Sequence, residues 1–312
     1  MCNIRKKLFN SASVIILAPL LLQGICPAAQ NASVSVIFSS VIEPYRLSYD
    51  GFKEFFDEKK FNLRVYKHNL ETDNAETIYS AVKAEKPDFI FAIGTKALQS
   101  ASENITDTPI VFAMVLNPGK INASNISGVS LDIPAEIKLK NLKKIVPEKK
   151  SIGLIYSSQS EPLYKDIQKT CGELEYRLVS RKIDSKTEFS DVLGNISPHI
   201  DCFLMTPDTD IYYPKLVEYL LRESLKENIP VIGLSSNYVK AGALIAFDCD
   251  YLDIGNQAGE IAFKILSGEN QAQRNCLSPR KIKYSINLTT AEMLGIEISP
   301  EIIKQASEVF GK

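Results

Sequence analysis

The residues best placed to do chemistry in this chain stand where apolar runs stop. Residues 88–94 read Asp-Phe-Ile-Phe-Ala-Ile-Gly, and Thr95 then opens a helical run. A backbone entering a helix leaves N–H groups unpaired, so Gly94 and Thr95 can hold a carboxylate, with the threonine hydroxyl as a further partner. A helix-capping role for Thr95 is compatible with that use. The pattern repeats downstream. One run ends at Thr206-Pro207-Asp208 and another at Ser235-Ser236. Asp208 can hold a ligand ammonium through a charge-assisted hydrogen bond, or it can cap the helix expected from Ile211. Asp210 is the better candidate for the cap.

Other strand-end residues complete the rim. Ser39 and Ser40 end the first strand, and Glu43 sits in the loop after it. Asn117, Ser235 and Ser236 suit ligand orientation, and equally suit ordinary turns. Asp248 and Asp250 flank Cys249 after a late strand. One of them is expected to face a cleft and the other solvent. Tyr45, Tyr156 and Tyr212 lie near strand ends, where they can stack on an aromatic ligand or pack over the sheet edge. Polar rims in both halves of the chain point to a cleft between two lobes.

Several chemistries are excluded or disfavoured. His68 and His199 are the only histidines. There is no Gly-x-Ser-x-Gly turn, no phosphate loop and no dinucleotide glycine cluster. The cysteines form no CxxC pair and no metal-ligand spacing. The chain is therefore read as a binder rather than an enzyme, with no cofactor and no metal. Lys and Arg total 36 against 37 Asp and Glu, which gives no electrostatic case for nucleic acid.

The elements that position the rim alternate strand and helix from residue 34 onward. Strands are expected at 34–40, 63–68, 88–94, 109–115 and 126–131, and helices at 44–59, 74–85, 96–103 and 134–145. Pro147-Glu148-Lys149-Lys150 reads as the lobe boundary. The pattern then restarts, with strands at 151–156, 177–183, 201–205, 230–234, 241–247 and 281–287. The helices between them fall at 162–174, 188–195, 211–227 and 255–266, with short helices after Thr290 and Pro300. Such alternation implies α/β lobes with parallel sheets and right-handed crossovers. The expected division is 1–29 as an export signal, 30–146 as the N-terminal lobe and 147–312 as the C-terminal lobe. Part of the C-terminal segment is open to crossing back.

The signal reading rests on Arg5, Lys6 and Lys7, the apolar run from Ala12 to Leu22, and small residues at Cys26, Ala28 and Ala29. It predicts a secreted, periplasmic or extracytoplasmic protein. Lipid attachment at Cys26 ranks second, because Ile25 stands where a lipobox carries Gly, Ala or Ser. Of the other cysteines, Cys202 and Cys249 fall at expected buried strands, where a small buried thiol is preferred over a disulfide or a nucleophile; any pairing among Cys171, Cys202, Cys249 and Cys276 is left open.

Taken in order, these segments resemble the bacterial ABC-transporter substrate-binding proteins of the tryptophan/tyrosine-binding type. The resemblance spans roughly residues 33–300 and is carried by 86–95, Pro109–Phe112, Ile126–Ser130, Ser151–Tyr156, Val239–Leu244, Asp250–Gly255 and 286–295. It implies the type I periplasmic-binding fold, two Rossmann-like lobes joined by a hinge. It further implies a receptor for a small solute, an amino acid and an aromatic one foremost, delivered to an inner-membrane ABC permease with its ATPase. A ligand-sensing receptor for a signalling partner, or a receptor for another solute class, is the alternative. Tyr156 matches a family tyrosine. Asn117-Pro118 stands where the family has Asp-Pro, Pro207-Asp208-Thr209 where it has Thr-Asp-Asn, and Ser235-Ser236 where an acid is common.

Overall fold

The computed structural model describes residues 31–119, 123–268 and 276–311. The expected export signal and Cys26 lie outside that range. The first sheet is built by β1 (Asn31–Phe38), β2 (Asn62–Asn69), β3 (Phe89–Ile93), β4 (Ile110–Val115) and β5 (Ile126–Ser130). A late two-residue strand, β11 (Cys276–Leu277), joins it. The order is β11-β5-β4-β3-β1-β2 and every pairing is parallel. Its central strands are apolar on both faces because helices cover both. Val34, Val36 and Phe38 of β1 join one core, while Ile37 joins the other.

On the first face lies α1 (Glu43–Glu58), with Phe52, Phe55 and Phe56 at helical spacing. Phe52 stacks on Phe91 with ring centroids 4.2 Å apart. Beside α1 lies α9 (Tyr251–Leu266), a helix from the far end of the sequence. The two helices meet backbone to backbone. A Cβ on Gly51 would overlap the Leu252 carbonyl, and one on Gly255 the Ser48 carbonyl. The opposite face carries α2 (Ala75–Glu85) and α3 (Thr95–Asn104).

The second sheet contains β6 (Ser151–Tyr156), β7 (Arg177–Lys182), β8 (Cys202–Leu204), β9 (Val231–Gly233), β10 (Ile245–Cys249), β12 (Ile282–Asn287) and β13 (Glu308–Phe310). Its order is β13-β12-β10-β9-β8-β6-β7. β12 runs antiparallel to β10, a departure from the all-parallel expectation. It re-enters this sheet from the first lobe rather than through a helical crossover. One face packs α4 (Ala135–Ile145) and α5 (Glu161–Glu173). The other packs α6 (Phe189–Ile196) and α7 (Pro214–Lys226). Two short helices, α10 (Leu288–Met293) and α11 (Pro300–Gln305), separate β12 from β13.

The boundary differs from the expected one at 146/147. Ala135, Leu139, Leu142 and Ile145 of α4 belong to the second core, so the chain first crosses at 131–134. It crosses back at Cys249–Tyr251 and forward again at 278–281, which places α9 and β11 in the first lobe. The late strand also begins four residues beyond its expected start at Ala241. A short helix, α8 (Ser236–Lys240), and a turn at Gly242 with φ of 123° occupy the space before it. Cys171, Cys202, Cys249 and Cys276 are free thiols, and all but Cys276 are buried.

Candidate functional site

Both sheets end on the same cleft. Residues just past β4, β8, β9 and β10 share one cavity of about 250 Å³, walled by Leu116, Leu204, Met205, Pro207, Ile232, Leu234, Ser235 and Phe247. Its floor is the crossing segments themselves, through Leu131, Asp132, Ile133, Asp248, Cys249 and Tyr251, together with Lys138 of α4. A molecule bound there touches both lobes and the hinge. Of the residues expected from sequence, Ser235 and Asp248 line it.

Charge at this floor is unevenly satisfied. One oxygen of Asp248 accepts the Tyr251 hydroxyl at 2.8 Å and the Cys249 N–H at 2.7 Å. The other accepts nothing among the described residues. Asp132 likewise takes the Asn117 N–H on Oδ2 at 2.9 Å, and its second oxygen accepts nothing among the described residues. Burial raises the Asp132 pKa, only partly offset by that N–H and by Lys138. Burial lowers the Lys138 pKa, against the attraction of Asp132 and Asp166. The Cys249 thiol is pushed up to about 12 by burial, so it rests protonated.

The first-lobe rim forms a separate recess of about 320 Å³, lined by Ser39, Ser40, Tyr45, Leu70, Glu71, Thr95 and Lys96. Gly94 takes a φ of 93°, and a Cβ there would run into the Ser39 hydroxyl and the Tyr45 ring. The Ser39 hydroxyl accepts the Ala97 N–H at 2.8 Å and so caps α3 from another strand. Thr95 and Lys96 remain exposed at the helix start, an arrangement that can take an anion. Glu43 is exposed at the start of α1. Its carboxylate faces Arg46, whose hydrogen bond holds its pKa low. Asn117 has a φ of 47° and offers its backbone, not its exposed side chain, to Asp132.

The second-lobe rim is more committed to structure. Asp208 is 4% exposed. Its carboxylate accepts Ser157 N–H and Oγ–H at 3.1 and 2.8 Å, the Ser160 hydroxyl, and the N–H groups of Asp210 and Ile211 at 3.0 and 3.3 Å. It ties the loop after β6 to the loop after β8, and no lone pair is left aimed at the cleft. Asp208 therefore braces the turn before α7; that helix starts at Pro214, later than expected, with Tyr213 as its N-cap and no side-chain cap, so neither Asp208 nor Asp210 caps it. Asp250 caps α9 through the Asp253 N–H at 3.1 Å and pairs with Lys283 at 3.0 Å. Ser236, Asp248 and Asp250 line a third recess, of about 560 Å³, beside the hinge. The Thr206 hydroxyl is buried with no hydrogen-bond partner. Tyr156 stacks on Tyr164 at 4.1 Å, and the Tyr212 hydroxyl is buried in the second lobe.

Asp132, Lys138 and Tyr251 are the polar lining residues that the sequence reading missed. A signal for Lys138 was present, since Ala135, Leu139 and Leu142 mark the apolar face of α4 and Lys138 falls on it. A larger cavity, about 880 Å³, lies between α7, α8 and α10, but only second-lobe residues wall it. Among the described residues no helix is long and apolar enough to cross a membrane, and no cluster of side chains could hold a metal.

Comparison with known proteins agrees with this architecture. A tyrosine-binding protein of Clostridioides difficile is 24% identical over 272 residues, covering 81% of this chain and 78% of that one. The ligand-free, open structure of a Clostridium difficile substrate-binding protein with adhesive properties superposes with a TM-score of 0.74. It is 23% identical and covers 90% of this chain and all of that one. A Streptococcus pneumonia ABC domain in complex with L-Trp superposes with a TM-score of 0.62 at 21% identity, with the same coverage. The fold is that of the type I periplasmic-binding proteins. The model of the ABC transporter substrate-binding proteins matches residues 33–310, nearly the whole described chain, and the protein belongs to that family.

Proposed function

We propose that this protein is an extracytoplasmic receptor that captures an amino acid between its lobes, an aromatic one in the first instance, and delivers it to an ABC permease. The carrying observation is the 250 Å³ cavity walled by strand ends of both sheets and by the crossing segments. A ligand favours a closed state only through contacts it makes better there than in the open state. A cavity that already borders both lobes supplies those contacts. Its volume lies just below the ~300–1,000 Å³ usual for drug-sized ligands, which suits a smaller solute. The tyrosine-binding relative and the L-Trp complex support the choice of amino acid. Ser235 and Asp248 are proposed as direct contacts. Ser39, Ser40 and Thr95 are the first-lobe face proposed to reach the solute on closure, with Gly94 shaping the turn.

A thermal-shift panel of the twenty L-amino acids, with sugars and nucleosides alongside, tests this. A ligand present at a hundred times its Kd raises stability by about 2.7 kcal/mol, a shift that grows with concentration. A shift with tyrosine, tryptophan or phenylalanine is the expected result. A shift only with another class refutes the amino-acid reading. Turnover of the solute by the purified protein would replace a receptor with an enzyme.

A further inference from the structure

Lys138 makes no direct ion pair in a cavity of mostly apolar walls, although Asp132 and Asp166 attract it from beyond contact distance. None of the ion pairs or side-chain hydrogen bonds formed among the described residues includes it. Lys138 is half-buried and lines the cavity. Leaving an ammonium short of water and of a counter-ion is costly. A chain that keeps one there leaves it for a negative group that arrives from outside.

We infer that Lys138 is a specificity-determining residue of the inter-lobe site: it reads a carboxylate on the solute, while the open oxygens of Asp132 and Asp248 take its ammonium. This rests on the hinge cavity being the solute site. The surroundings fit a zwitterion and little else. Each aspartate fixes one oxygen to the frame, through Asn117 or through Tyr251 and Cys249, and leaves one open. The rest of the lining is dominated by Leu131, Ile133, Leu163, Leu204, Ile232 and Phe247, which favour an apolar or aromatic side chain. A sugar could hydrogen-bond these groups but would bring no charge to match them, and a polyamine would bring a cation against Lys138.

The test compares the purified wild-type protein with Lys138→Met and Lys138→Arg. The probes are the L-amino acid that most raises the wild-type Tm and that amino acid's primary amide, titrated by calorimetry. Wild type should prefer the acid to the amide at least tenfold. Lys138→Met should lose about ten- to hundredfold in affinity for the acid, the range for a hydrogen bond to a charged group, with little change for the amide. Lys138→Arg should keep part of the discrimination. The ligand-free Tm of Lys138→Met should equal or exceed that of wild type, because an unpaired desolvated charge is gone. A Lys138→Met protein that keeps the acid-to-amide ratio overturns this inference alone, and moves the carboxylate to another donor such as the start of α3. A fall in its ligand-free Tm also overturns it, by showing a structural pairing. If no amino acid stabilises the wild type, this inference and the proposed function fall together.

Discussion

Asp208 separates two readings of the second-lobe rim, and one substitution decides between them. In Asp208→Ala the N–H groups of Ser157, Asp210 and Ile211 and the hydroxyls of Ser157 and Ser160 lose their common acceptor. The carboxylate is 4% exposed, so water does not replace it freely. Each donor left buried costs about 1–3 kcal/mol, and the hydroxyls can rotate toward other acceptors while the N–H groups cannot. Allowing for relaxation, the loss works out at roughly 4 kcal/mol, comparable to breaking a buried charged network. At about 2–4 °C per kcal/mol for a domain of this size, the second lobe should melt roughly 10 °C lower. Urea unfolding followed by tyrosine fluorescence gives the free energy directly, and the wild-type solute should still bind the folded fraction with unchanged affinity. A stability loss below about 1 kcal/mol, combined with lost solute binding, would refute the argument and restore Asp208 as the ammonium partner.

The α1–α9 contact and the hinge ion pair give two more expectations. Gly255→Ala forces a methyl into the Ser48 carbonyl, so α1 and α9 must separate; overpacking of this kind should cost about 3 kcal/mol, read as a drop in the urea midpoint of the first lobe. Burial works to raise the Asp250 pKa, but the Lys283 pair and the Asp253 N–H outweigh it, and the net shift is downward. A depressed folded-state value means the stabilisation is fully present above the unfolded value of about 4 and is lost as pH falls through the lower folded one. The lysine end of the pair is half exposed, so screening holds the amount to about 1 kcal/mol, and a pH series of melts on wild type and Asp250→Asn should converge below that window.

The strands and helices were legible because their signals are local. Phe52, Phe55 and Phe56 declare a helix face, and the apolar run Phe89–Ile93 declares a strand covered on both sides. The turn at Gly94-Thr95 was legible too, although its cap comes from Ser39 on another strand. What failed was anything decided by partners far along the chain. Asp208 reads equally as a rim acid or a helix cap, and only the folding over of Ser157 and Ser160, about fifty residues earlier, gives it its actual partners. The assignment of α4 to the first lobe failed because its apolar face is periodic in either lobe; only Ile152, Ile167 and Ile286 on the other side decide which core it joins. The return of α9 depends on Gly51 and Gly255 matching across some two hundred residues. Lys138 drew no reading from the sequence, although its position on the apolar stripe of α4 was visible.

The crossing segments are not bare linkers. The Asp250 N–H donates to the Lys281 carbonyl, Lys283 pairs with Asp250, and the Cys249 thiol faces the Leu131 carbonyl at 3.7 Å. The segments are thus cross-tied, and a rotation of one lobe on the other must bend them together. Asp132, Asp248 and Tyr251 line the hinge cavity and lie on or beside those same segments. A solute held there would act on the hinge at the point of bending and not through a distant lever. Moving an open-to-closed equilibrium from 1:99 to 99:1 takes about 5.5 kcal/mol of differential binding. A carboxylate and an ammonium each gaining one charge-assisted hydrogen bond on closure, at about 1.5–3 kcal/mol apiece, supply about 3–6 kcal/mol between them and reach that amount at the upper end. A solute lacking either group would fall short, so on this argument the hinge itself, and not only the pocket wall, discriminates for the zwitterion.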